Sequence, residues 1–245
     1  MDLGIEGRVA LVTASSKGLG RASAEALAAD GARMVICARG REALDETASA
    51  ITAAGGEVLP IVADVTDPAV PAELVAAAVE RWGRLDIVVG NAGGPPPGAA
   101  LDVDDDALGA AINANLLTSV RLVRAAVPHL RANGWGRICL ITSSSVRQPI
   151  PFLALSNTAR AGLWGWAKTA AQDLVSDGIT LNLACPGLHA TDRVRQLGGG
   201  SDGGGRPIGD PGDFGKVVAF LCSEPAGYIS GTAVGVDGAS VAGLL

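Results

Sequence analysis

Ser143, Ser156 and Arg160 are the side chains whose types and spacing most directly suggest chemistry. They lie in the stretch SSSVRQPIPFLALSNTAR, which follows the apolar run Ile138-Cys139-Leu140-Ile141 and leads into a helical run containing Trp164, Trp166 and Leu174. A serine hydroxyl can hold a carbonyl oxygen. A guanidinium stays protonated, so it stabilises an oxyanion but shuttles no proton. An aliphatic hydroxyl such as Ser156 is a far poorer proton donor than a phenol, which titrates at about pH 10 and lower beside a cation.

A second group of residues suggests nucleotide binding. Gly18-Leu19-Gly20 opens a helix directly after a strand-like run, where glycines let a pyrophosphate approach the backbone and free amides offer partial positive charge. The same two glycines alone also make an ordinary tight turn. Ala38-Arg39 ends the second strand-like run without an acid to bind a ribose 2′-hydroxyl. Arg39 and Lys17 can instead hold a 2′-phosphate by charge-assisted hydrogen bonds; the plainer reading of Arg39 is a solvated surface residue.

The elements that position these groups follow from hydrophobic periodicity. Buried strands are predicted at 8–13, 34–38, 58–65, 85–89, 137–142, 179–184 and 233–236. Helices are predicted from Leu19 to Asp30, over 41–54, from the Asp67-Pro68 start to about Trp82, over 104–131, 152–176 and 213–223. Cys185-Pro186-Gly187 is read as breaking the sixth strand. Strands alternate with helices, so the prediction is one α/β domain over 1–245, a Rossmann-like doubly wound parallel sheet with helices on both faces. Ligands of such sheets bind outside the carboxyl ends of the strands. Ser15 to Gly20, Arg39, Asp64, Asn91, Ser143, Pro186 and Thr191 all fall there. The segment from Arg193 to Pro207, rich in glycine, reads as a flexible substrate loop.

Composition narrows the function classes. The 245 residues are 48% hydrophobic and 18% charged, with a formal net charge of −6. That excludes a disordered chain and argues against a nucleic-acid partner, which needs a basic face. No apolar run reaches the roughly 18 residues of a membrane span, and the N-terminus lacks a signal-peptide pattern, so a cytoplasmic protein is expected. Cys37, Cys139, Cys185 and Cys222 have no metal-ligand spacing and read as buried free thiols. Asp102 to Asp106 reads as a helix start rather than a metal site. His129 reads as helix-end packing, Trp164 and Trp166 as packing or subunit contacts, and the single tyrosine, Tyr228, as structural.

Taken together these motifs resemble the short-chain dehydrogenase/reductase family, close in pattern to the 3-oxoacyl-carrier-protein reductases, over nearly the whole chain. Thr13 to Gly20 resembles the family's T-G-x-x-x-G-x-G, with Ala14 in place of the first glycine. Asp64-Val65 resembles the pair implied to contact adenine, and Asn91-Ala92-Gly93 the N-A-G signature. Pro186-Gly187 with Thr191-Asp192 resembles P-G-x-x-x-T-D, implying carboxamide contacts from the His189 main chain and the Thr191 side chain. Val236-Asp237-Gly238 resembles the closing V-D-G. The resemblance therefore implies cofactor contacts from Ser15, Ser16, Lys17, Gly18, Leu19, Gly20, Arg39, Asp64, Val65, Asn91, Ala92, Gly93, Pro186, Gly187, His189 and Thr191, with NADP(H) preferred and NAD(H) possible.

The family's catalytic tetrad is Asn, Ser, Tyr, Lys. Asn115 and Ser143 fall in the first two places. Gly165, Lys168, Asp173 and Leu174 keep step with the family pattern only if Ser156 stands in the tyrosine place and Arg160 in the lysine place. The leading expectation is an atypical NADP(H)-preferring oxidoreductase acting on a small-molecule ketone or secondary alcohol, without a metal. The alternatives are a non-redox lyase or isomerase on this scaffold, and an inactive nucleotide-binding homologue. The resemblance also implies a homotetramer or homodimer joined through the long helices.

Overall fold

The chain is described by a computed structural model that covers residues 1–196 and 208–243. Seven strands form one sheet: β1 (Val9–Val12), β2 (Arg33–Ala38), β3 (Val58–Val62), β4 (Ile87–Gly90), β5 (Gly136–Ile141), β6 (Ile179–Pro186) and β7 (Ala233–Val236). Their order is β3-β2-β1-β4-β5-β6-β7, and every pairing is parallel. The central strands β1, β4 and β5 are buried at every position, so both sheet faces are covered and their runs are continuously apolar rather than alternating.

The helices are α1 (Gly18–Ala29), α2 (Arg41–Ala53), α3 (Val70–Trp82), α4 (Asp105–Ile112), α5 (Thr118–Asn133), α6 (Ala154–Leu174), α7 (Asp192–Gln196) and α8 (Pro211–Leu221). One core unites Leu27 of α1, Leu44 of α2 and Phe214 of α8 with Val12, Ile36 and Ile87 of the sheet. The other unites Leu74 of α3, Leu122 of α5 and Leu163 of α6 with Leu11, Val88 and Leu140. Adjacent strand residues thus serve opposite cores, as strand geometry dictates. The chain runs outward in both directions from β1 and β4. The carboxyl ends of these two strands therefore border a crevice at the switch point.

The sequence reading holds for the doubly wound sheet and is corrected at several boundaries. The predicted helix over 104–131 is three pieces, because Asn113–Leu117 forms a π turn between α4 and α5. Thr118 Oγ1 donates to Asn113 O at 3.0 Å and lies 3.1 Å from Val65 O, tying this turn to the segment after β3. Asp67-Pro68 does not start α3. The Asp67 carboxylate instead accepts from Ala69 N at 2.9 Å, a turn that precedes the helix, which begins at Val70 with Pro71 in its first turn. β3 stops at Val62 rather than at Asp64, and β6 continues through Pro186, whose missing N–H falls at the strand's last residue. The first residues of the predicted glycine-rich loop, Arg193 to Gln196, are helical; the remainder, 197–207, lies outside the described residues.

α1 and α8 meet at backbone distance. A Cβ placed on Gly215 would stand 2.3 Å from Ala22 O. Helix propensity favours alanine over glycine by about 1 kcal/mol. A clash with a carbonyl cannot be relieved by a rotamer change, so overpacking wins. We expect Gly215→Ala to lower stability by about 1–3 kcal/mol in urea unfolding. An unchanged or raised midpoint would show that these helices are not held at that distance.

Candidate active site

The site begins with the turn between β1 and α1. Thr13 Oγ1 donates to Asn91 O at 2.7 Å and accepts from Asn91 N at 2.8 Å, joining the ends of β1 and β4. Asn91 Nδ2 then donates to Ala14 O at 3.1 Å. Ala14 has φ of 47°, the left-handed region that costs an L-residue about 1–2 kcal/mol. Beneath it, a Cβ on Gly20 would stand 2.4 Å from Ala14 O and 2.6 Å from Asn91 Nδ2, so only glycine fits there. The amide end of α1 carries no side-chain cap and no acid in its first turn. It faces the crevice as an anion-binding terminus.

Two adjoining cavities run along the strand ends, sharing Ala14, Lys17 and the 92–95 segment. The smaller, about 580 Å³, is bordered by Ser16, Lys17, Arg39, Asp64, Val65 and Asn115. Arg39 and Lys17 are exposed at its rim. The Asp64 carboxylate accepts from Thr66 N at 3.0 Å and from Thr66 Oγ1 at 2.8 Å. These bonds, chiefly the backbone one, hold Asp64 below its usual carboxylate range, with Arg39 adding a smaller effect. The rim therefore presents two cations and one acid, whose Oδ1 is engaged by Thr66.

The larger cavity, about 650 Å³, brings Ser143, Ser156 and Arg160 together with the α1 terminus and the 186–194 segment. Ser143 follows β5, and its Oγ accepts from Ser145 N at 3.1 Å, leaving its O–H free to donate. Ser156 and Arg160 lie one turn apart on α6. Arg160 Nε donates to Ser156 Oγ at 3.3 Å, and Nη1 donates to Ile141 O at 3.1 Å. Arg160 is only 8% exposed. Burial pushes its guanidinium down to about 10, and Arg193 adds to the depression, yet it stays charged at neutral pH.

Not every expected site residue faces this cleft. Ser15 is fully buried; its Oγ donates to Val12 O at 2.9 Å and accepts from Cys37 N at 3.0 Å. It ties β1 to β2 instead of facing a ligand. Gly20 acts through its lack of a side chain. Asn115 is on the wall of the smaller cavity, not beside Ser143 and Arg160, and its Oδ1 is buried with no hydrogen-bond partner among the described residues. The His189 ring turns edge-on to Phe214, with centroids 5.2 Å apart, and burial lowers its pKa. Its carbonyl accepts from Thr191 N at 2.7 Å, and Thr191 borders the larger cavity. Tyr228 is wholly exposed and borders neither cavity, so it is not a packing residue of this chain.

Sequence reasoning missed Arg193. Its Nη2 donates to Pro95 O at 2.6 Å, and its guanidinium packs against Gly94, bridging the 191–194 segment and the loop after β4. The available signal was an arginine two places after Thr191, opposite the Gly94-Pro95-Pro96-Pro97 run. Also missed was Phe152, beside the cavity-lining Pro151 and Leu153, with φ of 59° and 72% exposure.

Known proteins match this chain along nearly its whole length. The family model described as enoyl-(acyl carrier protein) reductase matches residues 13–239. The pig protein named dehydrogenase/reductase SDR family member 4 is 33% identical, over 98% of this chain and 89% of its own length. The Synechocystis 3-oxoacyl-[acyl-carrier-protein] reductase is 35% identical, over 96% of this chain and 97% of its own. Among solved structures, an L-sorbose reductase from Gluconobacter frateurii, complexed with NADPH and L-sorbose, superposes with a TM-score of 0.92 at 32% identity, covering 100% of both chains. By its sheet order, its strand-end cleft and these matches, the chain belongs to the short-chain dehydrogenase/reductase family.

Proposed function

We propose that this chain is an atypical NADP(H)-preferring oxidoreductase that interconverts a ketone and a secondary alcohol. The observation that carries the reading is the continuous cleft, which joins the α1 amide terminus to Ser143, Ser156 and Arg160. The similarity to a reductase complexed with NADPH supports it. So does the fit of the cradle: a glycine-floored turn, an uncapped helix terminus, and Lys17 and Arg39 where a 2′-phosphate needs cations.

In this reading Lys17, Gly18 and Leu19 receive the diphosphate, Arg39 the 2′-phosphate, and Asp64 and Val65 flank the adenine. Asn91 to Gly93 line the passage between the cavities, and Pro186, Gly187, the His189 carbonyl and Thr191 receive the carboxamide end. The bound cofactor supplies the hydride that adds to the carbonyl carbon, while a proton completes the alcohol. Ser143 donates its free O–H to the carbonyl oxygen. Arg160, in the place of the family's lysine, stabilises charge on that oxygen without giving up its proton. Ser156, in the place of the tyrosine, or a water near Asn115 relays the proton. Lacking a phenol, the site forgoes about 10²–10⁴ in rate. We also propose a cytoplasmic homodimer or homotetramer, to be checked by light scattering.

A second reading follows from the same chemistry. A buried cation beside two hydroxyls, with no phenol in the cleft, polarises a carbonyl equally well for isomerisation or elimination. Product formation with unchanged nicotinamide absorbance would favour it.

Calorimetric titration is expected to show NADPH binding more tightly than NADH. Arg39→Asp should weaken NADPH by about 10–100-fold and leave NADH largely unaffected. Equal affinities in the parent protein would remove Arg39 from the 2′-phosphate. In the Ser156→Tyr, Arg160→Lys double variant, carbonyl reduction should rise by about 10²–10⁴-fold. No gain in a folded double variant, despite bound NADPH, would count against these two residues standing in the catalytic places.

A further inference from the structure

Arg160 is a buried cation without a counter-ion. Its partners are a hydroxyl, Ser156, and a carbonyl, Ile141, and it forms no ion pair with any carboxylate among the described residues. Arg193 borders the same cavity and, among the described residues, likewise donates to a carbonyl, Pro95 O at 2.6 Å. The two guanidinium groups are close enough for Arg193 to depress the titration of Arg160. The one acid bordering this cavity among the described residues, Asp192, is engaged by Arg195. Two like charges thus share a half-open cavity whose other walls are largely apolar, among them Ile150, Leu153, Leu188 and Val194.

A buried charge normally finds an opposite charge, because an unpaired one is costly to desolvate. Among the described residues the chain supplies none, and an anionic ligand would complete the pair. The 2′-phosphate is no candidate for Arg160, which is absent from the cavity that holds Arg39 and Asp64; it stands instead with Ser143 and Ser156, the hydroxyls that would hold a reacting oxygen. With Nε on Ser156 and one Nη1 hydrogen on Ile141 O, the guanidinium keeps three N–H groups for a ligand. A planar fork suits two oxygens on adjacent carbons.

We infer that the substrate is a 2-oxo acid or its 2-hydroxy acid, with Arg160 spanning the carbonyl and carboxylate oxygens and Arg193 supplying the second positive charge. The apolar walls then receive the side chain of the acid. This inference rests on the oxidoreductase reading for its chemistry, but the anion site itself does not.

The test compares 2-oxopentanoate, its methyl ester and 2-pentanone. Binding is measured by calorimetry on NADP⁺-saturated protein, so that phosphate sites are filled, and repeated without nucleotide; turnover is followed by NADPH absorbance. The acid is expected to bind about 10–100-fold more tightly than the ester. Arg160→Met should bring the two close to parity, Arg160→Lys should retain part of the preference, and Arg193→Gln should reduce it. If Arg160→Met does not fold, the acid-to-ester comparison in the parent protein and in Arg193→Gln decides. Acid binding that is absent, or no tighter than that of the ester, overturns the inference; if neutral ketones are then reduced, the oxidoreductase reading survives alone. Charge-dependent acid binding without NADPH consumption supports the anion site and counts against the oxidoreductase reading.

Discussion

The paired hydrogen bonds between Thr13 and Asn91 hold the site together. They extend the pairing of β1 and β4 past its last register pair, Val12 with Val89, beside the Thr13 N–H that donates to Val89 O at 3.1 Å. Asn91 then uses its side chain on Ala14 O, which fixes a backbone turn that an alanine would not choose alone. Gly20 leaves the room for that carbonyl to point downward. The result is an α1 whose free amides face the cleft. Without the tie, the tightest part of the cradle would have no reason to hold a left-handed residue. Local strain of about 1–2 kcal/mol is offset by three hydrogen bonds that also assemble the ligand site.

A second constraint is the burial of Arg160. Burial pushes its guanidinium down to about 10, a penalty on the charged form. Two neutral acceptors recover only part of that. Such a residue is tolerated because the large cores on both sheet faces carry the stability, while the cleft wall carries the cost. The same burial makes the charge more effective toward an oxyanion than that of a solvated arginine.

Most of the sheet was legible because each buried strand is a short apolar run and each helix shows a 3.6-residue period. The misreadings have local physical causes. The π turn at Asn113–Leu117 keeps a helical apolar pattern, so periodicity cannot reveal it; hydrogen bonds from Thr118 and Asn113 to the distant Val65 and Thr66 hold it. Asp67-Pro68 has the composition of a helix start, yet the carboxylate closes a turn one step earlier. Ser15 lies in a phosphate-loop pattern, but a fully buried hydroxyl between two strand ends has backbone partners and no ligand to face. Arg193 was hidden because its role depends on a contact nearly a hundred positions away, with Pro95. Ser143, Ser156 and Arg160 were legible as a group because a strand end and one helical turn suffice to bring them together.

Charge distribution links the cradle to the chemistry. The chain carries a formal net charge of −6, yet Lys17, Arg39, Arg160 and Arg193 all border the cleft. Of the two acids among the described residues that border it, Asp192 is paired with Arg195, while Asp64 stays ionised with Thr66 on its Oδ1, so the cations outnumber the acids. An acidic body with a cationic crevice repels anions everywhere except at the crevice, and low-dielectric walls concentrate that field. Such separation favours a ligand that is anionic along its length, as a phosphorylated dinucleotide is. It also keeps the far end of the cleft, at Arg160, positive even when Lys17 and Arg39 are neutralised by phosphates. The positive charge left over at that end lies beside the hydroxyls that would hold a reacting oxygen, so binding and polarisation there draw on the same side chain.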